Sequence, residues 1–156
     1  MDQSRRDVLR AGGGAGVFAL LAAAGMLQPE AAFAAEWNQK AFEAKNVKDA
    51  LDALGAGTPI NSNDIVMSAP EIAENGAVVP VGAVSKIPGT ESISILIAKN
   101  PTSLAASFDI PSGTEASVST RVKLAETTDV HVLVKAQGKY YITKKEVKVT
   151  IGGCGG

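Results

Sequence analysis

The residue with the clearest chemical potential in this sequence is its single cysteine, Cys154. It is surrounded by glycines, and the segment 152–156 consists of Gly152, Gly153, Cys154, Gly155 and Gly156. Glycine has no Cβ atom, so a run of glycines adopts backbone conformations and enters passages that are closed to other residues. From Ile151, Cys154 can reach roughly 10 Å if each residue spans about 3.5 Å. The sequence therefore predicts an exposed thiol on a flexible arm.

The surroundings of this thiol favour one kind of chemistry. A catalytic cysteine needs a nearby positive charge to lower the pKa of its thiol, and the nearest cation along the chain is Lys148. This predicts a carrier, whose cargo is attached to Cys154 and whose activation comes from the enzymes that the carrier visits. The alternative is a secreted interaction module that performs no catalysis and is tethered by an intermolecular disulfide through Cys154.

No other residue type forms a recognisable catalytic or metal-binding pattern. His131 is the only histidine, so a metal site built on several imidazoles is excluded, and we interpret His131 as a structural residue at the start of a strand. The lysines Lys144, Lys145 and Lys148 form a modest basic cluster, which is typical of a solvated strand face. The motifs of serine hydrolases, zinc proteases and phosphate-binding loops are absent. We expect no bound metal, no cofactor and no catalysis by the chain itself.

The N-terminal segment has the pattern of an export signal. Arg5 and Arg6 precede a mildly apolar stretch over residues 11–27, and Ala32-Phe33-Ala34 provides the small residues of a cleavage site. The pattern predicts a twin-arginine signal peptide over residues 1–34 and a mature protein in the periplasm. An uncleaved membrane anchor is the alternative. Export also argues against a ubiquitin-like sulfur carrier, whose Gly-Gly end is activated by cytoplasmic ATP.

Composition limits the remaining classes of protein. The chain has 156 residues, a net charge of −1 and 46% hydrophobic residues, which predicts one globular domain. Its 15 basic and 16 acidic side chains argue against nucleic acid as a partner and, once the signal is cleaved, against a membrane. A single cysteine also excludes an internal disulfide framework.

The periodicity of the apolar residues predicts an all-β domain preceded by one helix. Apolar residues at helical spacing over residues 36–54, from Trp37 to Leu54, indicate one amphipathic helix. The period then changes to two, and seven candidate strands follow: Ile65–Ser68, Ala77–Ser85, Ser92–Ala98, Ala105–Ile110, Ala116–Leu124, Val130–Ala136 and Tyr140–Ile151. Pro80 inside the second of them indicates a sheet edge or a bulge. Seven short strands favour an immunoglobulin-like antiparallel β-sandwich over residues 35–151.

These features together resemble the SoxY family, the sulfur-carrying subunits of the periplasmic thiosulfate-oxidising (Sox) system. The resemblance rests on the paired arginines Arg5 and Arg6, the helix near Trp37, the strand-rich body and the terminal Gly-Gly-Cys-Gly-Gly sequence over residues 152–156. The last of these is the most specific. The body resembles the family only in its general character.

The resemblance implies a covalent carrier and a set of partners. It implies a heterodimer with a SoxZ-like subunit that has no signal of its own. A haem c enzyme would join thiosulfate oxidatively to Cys154 as a cysteine S-thiosulfonate. A manganese hydrolase would release sulfate, and a molybdenum–haem dehydrogenase would oxidise the remaining sulfane sulfur. The metals would belong to these partners.

Overall fold

The computed structural model describes residues 38–150. The sequence predictions for the export signal (residues 1–34), for Trp37 and for the arm (residues 152–156) lie outside the described residues. Two helices lie within these residues, α1 (Gln39–Glu43) and α2 (Val47–Ala53). They are followed by the strands β1 (Ile60–Asn61), β2 (Ile65–Ser68), β3 (Ile72–Ala73), β4 (Val79–Ser85), β5 (Thr90–Ile97), β6 (Leu104–Asp109), β7 (Ser117–Val122), β8 (Thr128–Ala136) and β9 (Lys139–Val149).

The strands form two sheets, which confirms the predicted all-β sandwich. The larger sheet has the order β1-β9-β8-β5-β6, and the smaller one has the order β2-β4-β7. All the long strands pair antiparallel. The sequence analysis missed the two-residue strands β1 and β3, each of which pairs parallel with β9. Two residues are too few to show a period, so neither strand has a sequence signal.

Aliphatic side chains fill the space between the two sheets. Alternate residues of β8 and β5 are fully buried and pack against β4 and its neighbours. The largest of these side chains are Ile93, Ile95, Ile97, Val79, Val81, Val130, Val132 and Val134. This alternation is the pattern expected of a sheet that turns one face to a core.

The helices add a third layer on the outer face of the larger sheet. Leu96 of β5 and Leu133 of β8 point away from the sandwich core and pack against Ala50 and Leu51 of α2. The last five residues of β5 are therefore all buried, because both faces of the sheet are covered there. The hydroxyl group of Tyr140 donates a hydrogen bond of 2.8 Å to the carbonyl oxygen of Leu54 and ties this layer to β9.

The prediction of one continuous helix over residues 36–54 is wrong. The chain is extended at Ala44 (φ −62°, ψ 127°), and the carbonyl oxygen of Ala44 accepts a hydrogen bond of 2.7 Å from the amide of Ser103. Asn46 then starts α2, because its side-chain oxygen accepts a hydrogen bond of 2.8 Å from the amide of Asp49. A tertiary contact and a cap divide a segment whose apolar period is unbroken.

The predicted strands are otherwise observed with shifts of a few residues. The final run is one strand, β9, which forms a hairpin with β8 through Gln137 and Gly138. These two residues have φ values of 51° and 71°, as a type I′ turn requires. Pro80 lies in the middle strand of the smaller sheet, where it pairs with Arg121 of β7, and the prediction of a sheet edge is confirmed at this position. The proline is tolerated because β2 ends at Ser68, opposite Gly82, and leaves Pro80 without a neighbour on that side.

No helix within residues 38–150 is long and apolar enough to cross a membrane.

Candidate functional site

The strand β9 leads directly to the glycine-rich segment that carries Cys154. It ends at Val149, and the described chain continues to Thr150. Cys154 lies four residues further, outside the described residues, as do Gly152, Gly153, Gly155 and Gly156. Four extended residues span at most about 14 Å. Whatever the folded body contributes to the placement of the thiol therefore acts through the end of β9.

One side of this strand end is held by β3 and the residue before it. The amide of Lys148 donates a hydrogen bond of 2.9 Å to the carbonyl oxygen of Glu71, and the amide of Thr150 donates one of 3.1 Å to that of Ala73. These bonds continue the parallel pairing of Ile72 with Lys148. The hydrogen bonds between β3 and β9 therefore continue to Thr150, the last residue that the structure describes.

The other side is held by a side chain. The pairing with β8 ends where Thr128 faces Val147, so Val149 has no main-chain partner on that side. Instead, the amide of Val149 donates a hydrogen bond of 2.9 Å to Oγ1 of Thr127. The same hydroxyl group lies 3.5 Å from the carbonyl oxygen of Val149, to which it donates.

A glycine packs closely against the same residue. A Cβ atom at Gly76 would lie 2.6 Å from the carbonyl oxygen of Leu124 and 2.9 Å from Cγ1 of Val149. Only glycine fits here, and its own carbonyl oxygen accepts a hydrogen bond of 2.7 Å from the amide of Leu124. We call Ala73, Gly76 and Thr127, which together hold Val149 and Thr150, the arm-base cluster.

Two exposed apolar side chains flank this cluster. Ile72 is 58% exposed and Val78 is 52% exposed. Ile72 pairs with Lys148, and Val78 follows the loop that contains Gly76. The surface from which the chain leaves the sandwich is therefore partly apolar.

His131 lies on β8, away from the end of β9, and charged side chains of the sheet lie near its ring. His131 is half-buried and lies opposite Lys144 on β9. Burial of the ring lowers the pKa of His131; Asp129 acts against this shift, and Lys144 adds to it. Lys144 forms an ion pair of 2.9 Å with Asp129, which lowers the pKa of that carboxyl group. Asp129 and Lys144 therefore stabilise each other on the sheet beside the half-buried ring.

The basic cluster predicted on β9 is only partly solvated. Lys144 and Lys148 are exposed, whereas Lys145 is half-buried and its ammonium group donates a hydrogen bond of 2.8 Å to the carbonyl oxygen of Ala69. Within residues 38–150, no group of three or more His, Cys, Asp or Glu residues is arranged to hold a metal ion.

Comparison with known proteins shows to which family this chain belongs. Residues 50–154, more than half of the chain, match the family described as "Sulfur oxidation protein SoxY", and the match extends to Cys154. The structure of the sulfur carrier protein SoxY from Chlorobium limicola f. thiosulfatophilum is 44% identical, with a TM-score of 0.62, over 72% of this chain and 99% of that chain. The chain belongs to the SoxY family.

A second solved structure shares less with this SoxY-family chain. A superoxide reductase (neelaredoxin) from Ignicoccus hospitalis is 17% identical with a TM-score of 0.49, over 55% of this chain and 79% of that chain. Nothing about function follows from a likeness at this level. No curated protein sequence matches the chain.

Sequence reasoning identified Cys154 and the strand before it but missed the arm-base cluster. The pair Asn75-Gly76 indicates a turn, and nothing in the sequence shows that this turn packs against Val149. Thr127 is one of several threonines and has no signature. Its role depends on β8 beginning one residue later, at Thr128, which only the pairing register reveals.

We predict that Gly76→Ala destabilises the protein, because the added methyl group would collide with the main chain of Leu124. The expected cost is about 1–3 kcal/mol of unfolding free energy, measured by denaturant titration. Gly82→Ala is the matched control, since a Cβ atom there would meet its neighbours at ordinary distances of 3.5 Å and 3.6 Å. Equal stability of the two variants would contradict the close packing at Gly76.

We predict that His131 makes the fold less stable in mild acid. Because burial lowers the pKa of His131 in the folded protein, the unfolded chain binds more protons as the pH falls below about 6.5. The free energy of unfolding should therefore fall between pH 7.5 and pH 5.5, and it should fall less in His131→Gln. Denaturant titrations at both pH values measure this difference, and identical slopes would show that the ring does not titrate in this way.

Proposed function

We propose that this SoxY-family protein is a sulfur carrier of the Sox system, which holds its substrate covalently on Cys154 and presents it to partner enzymes. The support comes from the family, from the relative that is named a sulfur carrier protein, and from the geometry of β9. The single observation that carries the proposal is the end of β9 at Val149, which is held by hydrogen bonds on both sides and lies five residues before the only thiol in the sequence. A covalent carrier needs a firm base and a short tether.

Membership of the SoxY family implies the chemistry that we propose at Cys154. In the loading step, an S–S bond forms between Sγ of Cys154 and the outer sulfur of thiosulfate; the thiol proton is released, and two electrons pass to a haem c partner enzyme. Water then cleaves the terminal sulfonate as sulfate at a manganese hydrolase and leaves a persulfide. A molybdenum–haem dehydrogenase would take six electrons from the outer persulfide sulfur, which gains three oxygen atoms from water and becomes an S-sulfonate. A second hydrolysis would release this group as sulfate and restore the thiol.

The chain's own contribution is attachment and delivery. Gly152, Gly153, Gly155 and Gly156 present no side chain to the walls of a channel, so Cys154 can enter passages too narrow for other residues. The tether is short, at most about 14 Å from Thr150. An enzyme with a recessed active site must therefore contact the surface around Thr150, which includes Ile72 and Val78.

Export and pairing complete the proposal. Arg5 and Arg6 direct the chain to twin-arginine export, and the carrier works in the periplasm. This pathway transports folded proteins, so a SoxZ-like partner without a signal can be carried along as a heterodimer. The signal peptide covers residues 1–34, and the mature carrier domain begins at residue 35.

We predict that protein purified from thiosulfate-oxidising cells carries sulfur adducts on its C-terminal peptide, and that Cys154→Ser abolishes thiosulfate oxidation. The thiol is the only group in the chain that can form the S–S bond. Intact-mass spectrometry with and without reductant detects the adducts, because reductant removes them.

The controls separate this function from that of a tethered interaction module. Full thiosulfate oxidation by Cys154→Ser would end the proposal. An active form that is a Cys154-linked dimer and loses its function on reduction would favour the module instead. A minor disulfide dimer without activity is expected of any exposed thiol.

We predict that Ile72→Ser weakens productive contact with the partner enzymes. Ile72 lies beside the arm base, and its burial against an enzyme would be worth about 1 kcal/mol, so the KM for the carrier should rise about fivefold. Steady-state kinetics with the loading enzyme and the hydrolase measure this effect.

Ile60→Ser is the matched control for that experiment. Ile60 is 54% exposed and also belongs to a two-residue strand on β9, but it pairs with Tyr141. That position lies about 23 Å along the strand from Lys148. Ile60→Ser should leave the KM unchanged, and equal effects of the two substitutions would contradict docking at the arm base.

A further inference from the structure

We propose that Thr127 is a positioning residue for Cys154: its hydroxyl group fixes Val149 and so sets the point at which the arm leaves the sandwich. This inference rests on the proposed function, because the exit point matters only if Cys154 is delivered to partner enzymes.

The hydroxyl group of Thr127 takes the place of a main-chain partner for Val149. In an antiparallel pair, every second residue exchanges two main-chain hydrogen bonds with the residue that it faces. Beyond the pairing of Thr128 with Val147, β9 loses this partner. Oγ1 of Thr127 accepts from the amide of Val149 at 2.9 Å and donates to its carbonyl oxygen at 3.5 Å. One side-chain oxygen therefore binds the amide that the missing strand residue would have bound, and it lies at the limit of hydrogen-bond distance from the carbonyl oxygen.

The loop that presents Thr127 is itself held firmly. The side chain of Asn100 donates a hydrogen bond of 2.7 Å to the carbonyl oxygen of Lys123 and accepts one of 3.0 Å from the amide of Ala125. Oγ1 of Thr128 accepts one of 3.1 Å from the amide of Lys99. These hydrogen bonds hold the chain on both sides of Thr127, and they therefore fix the position of its hydroxyl group next to β9.

Loss of this hydroxyl group would lengthen the tether. Without it, Val149 has no hydrogen-bond partner on the side of β8, and Thr150 keeps only its bond to Ala73. If these two residues join the arm, the tether to Cys154 grows from four residues to six. The effective concentration of a tethered group falls roughly as the −3/2 power of tether length, so delivery should slow about twofold.

The decisive experiment combines Thr127 with the length of the arm. Thr127→Val removes the hydroxyl group and keeps the shape of the side chain, whereas Thr127→Ser keeps the hydroxyl group. Deletion of Gly152 should slow thiosulfate-dependent turnover severalfold in the wild-type background, because the shorter arm no longer reaches. In the Thr127→Val background the same deletion should cost much less, since the released strand end supplies the missing length. A substitution that only weakened the fold would not compensate for a deletion in this way.

Amide hydrogen exchange provides the structural readout. Exchange at Val149 should accelerate about fivefold or more in Thr127→Val, and Thr127→Ser should restore both the protection and the wild-type response to the Gly152 deletion. Equal effects of the deletion in both backgrounds, or unchanged exchange at Val149, would overturn the inference. The wild-type protein provides a check that needs no variant: exchange at Val149 as fast as at Ile151 would also overturn it.

Failure of this inference can be distinguished from failure of the proposed function. If Cys154→Ser keeps full thiosulfate oxidation, the carrier function itself is wrong. If Cys154→Ser is inactive and the response to the Gly152 deletion is the same with and without the hydroxyl group, only the role of Thr127 is wrong.

Discussion

The hydrogen bonds on both sides of Val149 are the interaction on which the placement of the thiol depends. The ends of a chain fray unless they are tied down, and a frayed β9 would leave the origin of the arm undefined. The structure prevents this with two different devices. On one side Ala73 of the short strand β3 binds Thr150, and on the other side the hydroxyl group of Thr127 binds Val149.

The two short strands β1 and β3 cover the outer edge of β9. β9 is eleven residues long, and without β1 and β3 its outer edge would expose a long row of main-chain donors and acceptors. Such an edge is open to pairing with other chains. β1 covers Tyr141 and Ile142, and β3 covers Lys148 and Val149. The two pieces protect the edge, and the second also anchors the chain next to the arm.

The body behind this strand is built to be stiff. β8, the neighbour of β9, is buried on both faces where α1 and α2 cover the sheet, and its aliphatic side chains contribute to the sandwich core. The ion pairs lie at the surface with exposed side chains, where each contributes little to stability. Apolar burial and main-chain hydrogen bonds therefore hold the base of the proposed arm.

The sequence predicts the parts of this fold that follow from local patterns. Alternation of apolar residues reveals the seven longer strands. The break at Ala44 could not be predicted, because it depends on a hydrogen bond from Ser103, which is distant in sequence. Cys154 is conspicuous by composition alone. Thr127 and Gly76 are inconspicuous, since their roles arise from pairing register and close packing in three dimensions.

The most direct test of a rigid base with a free arm is backbone NMR relaxation along residues 145–156. The account predicts order parameters near 0.85, typical of rigid backbone, from Lys145 through Val149, and values below about 0.6 at Gly153 and Cys154. High order parameters at Cys154, or a loss of order that already begins before Val147, would contradict it.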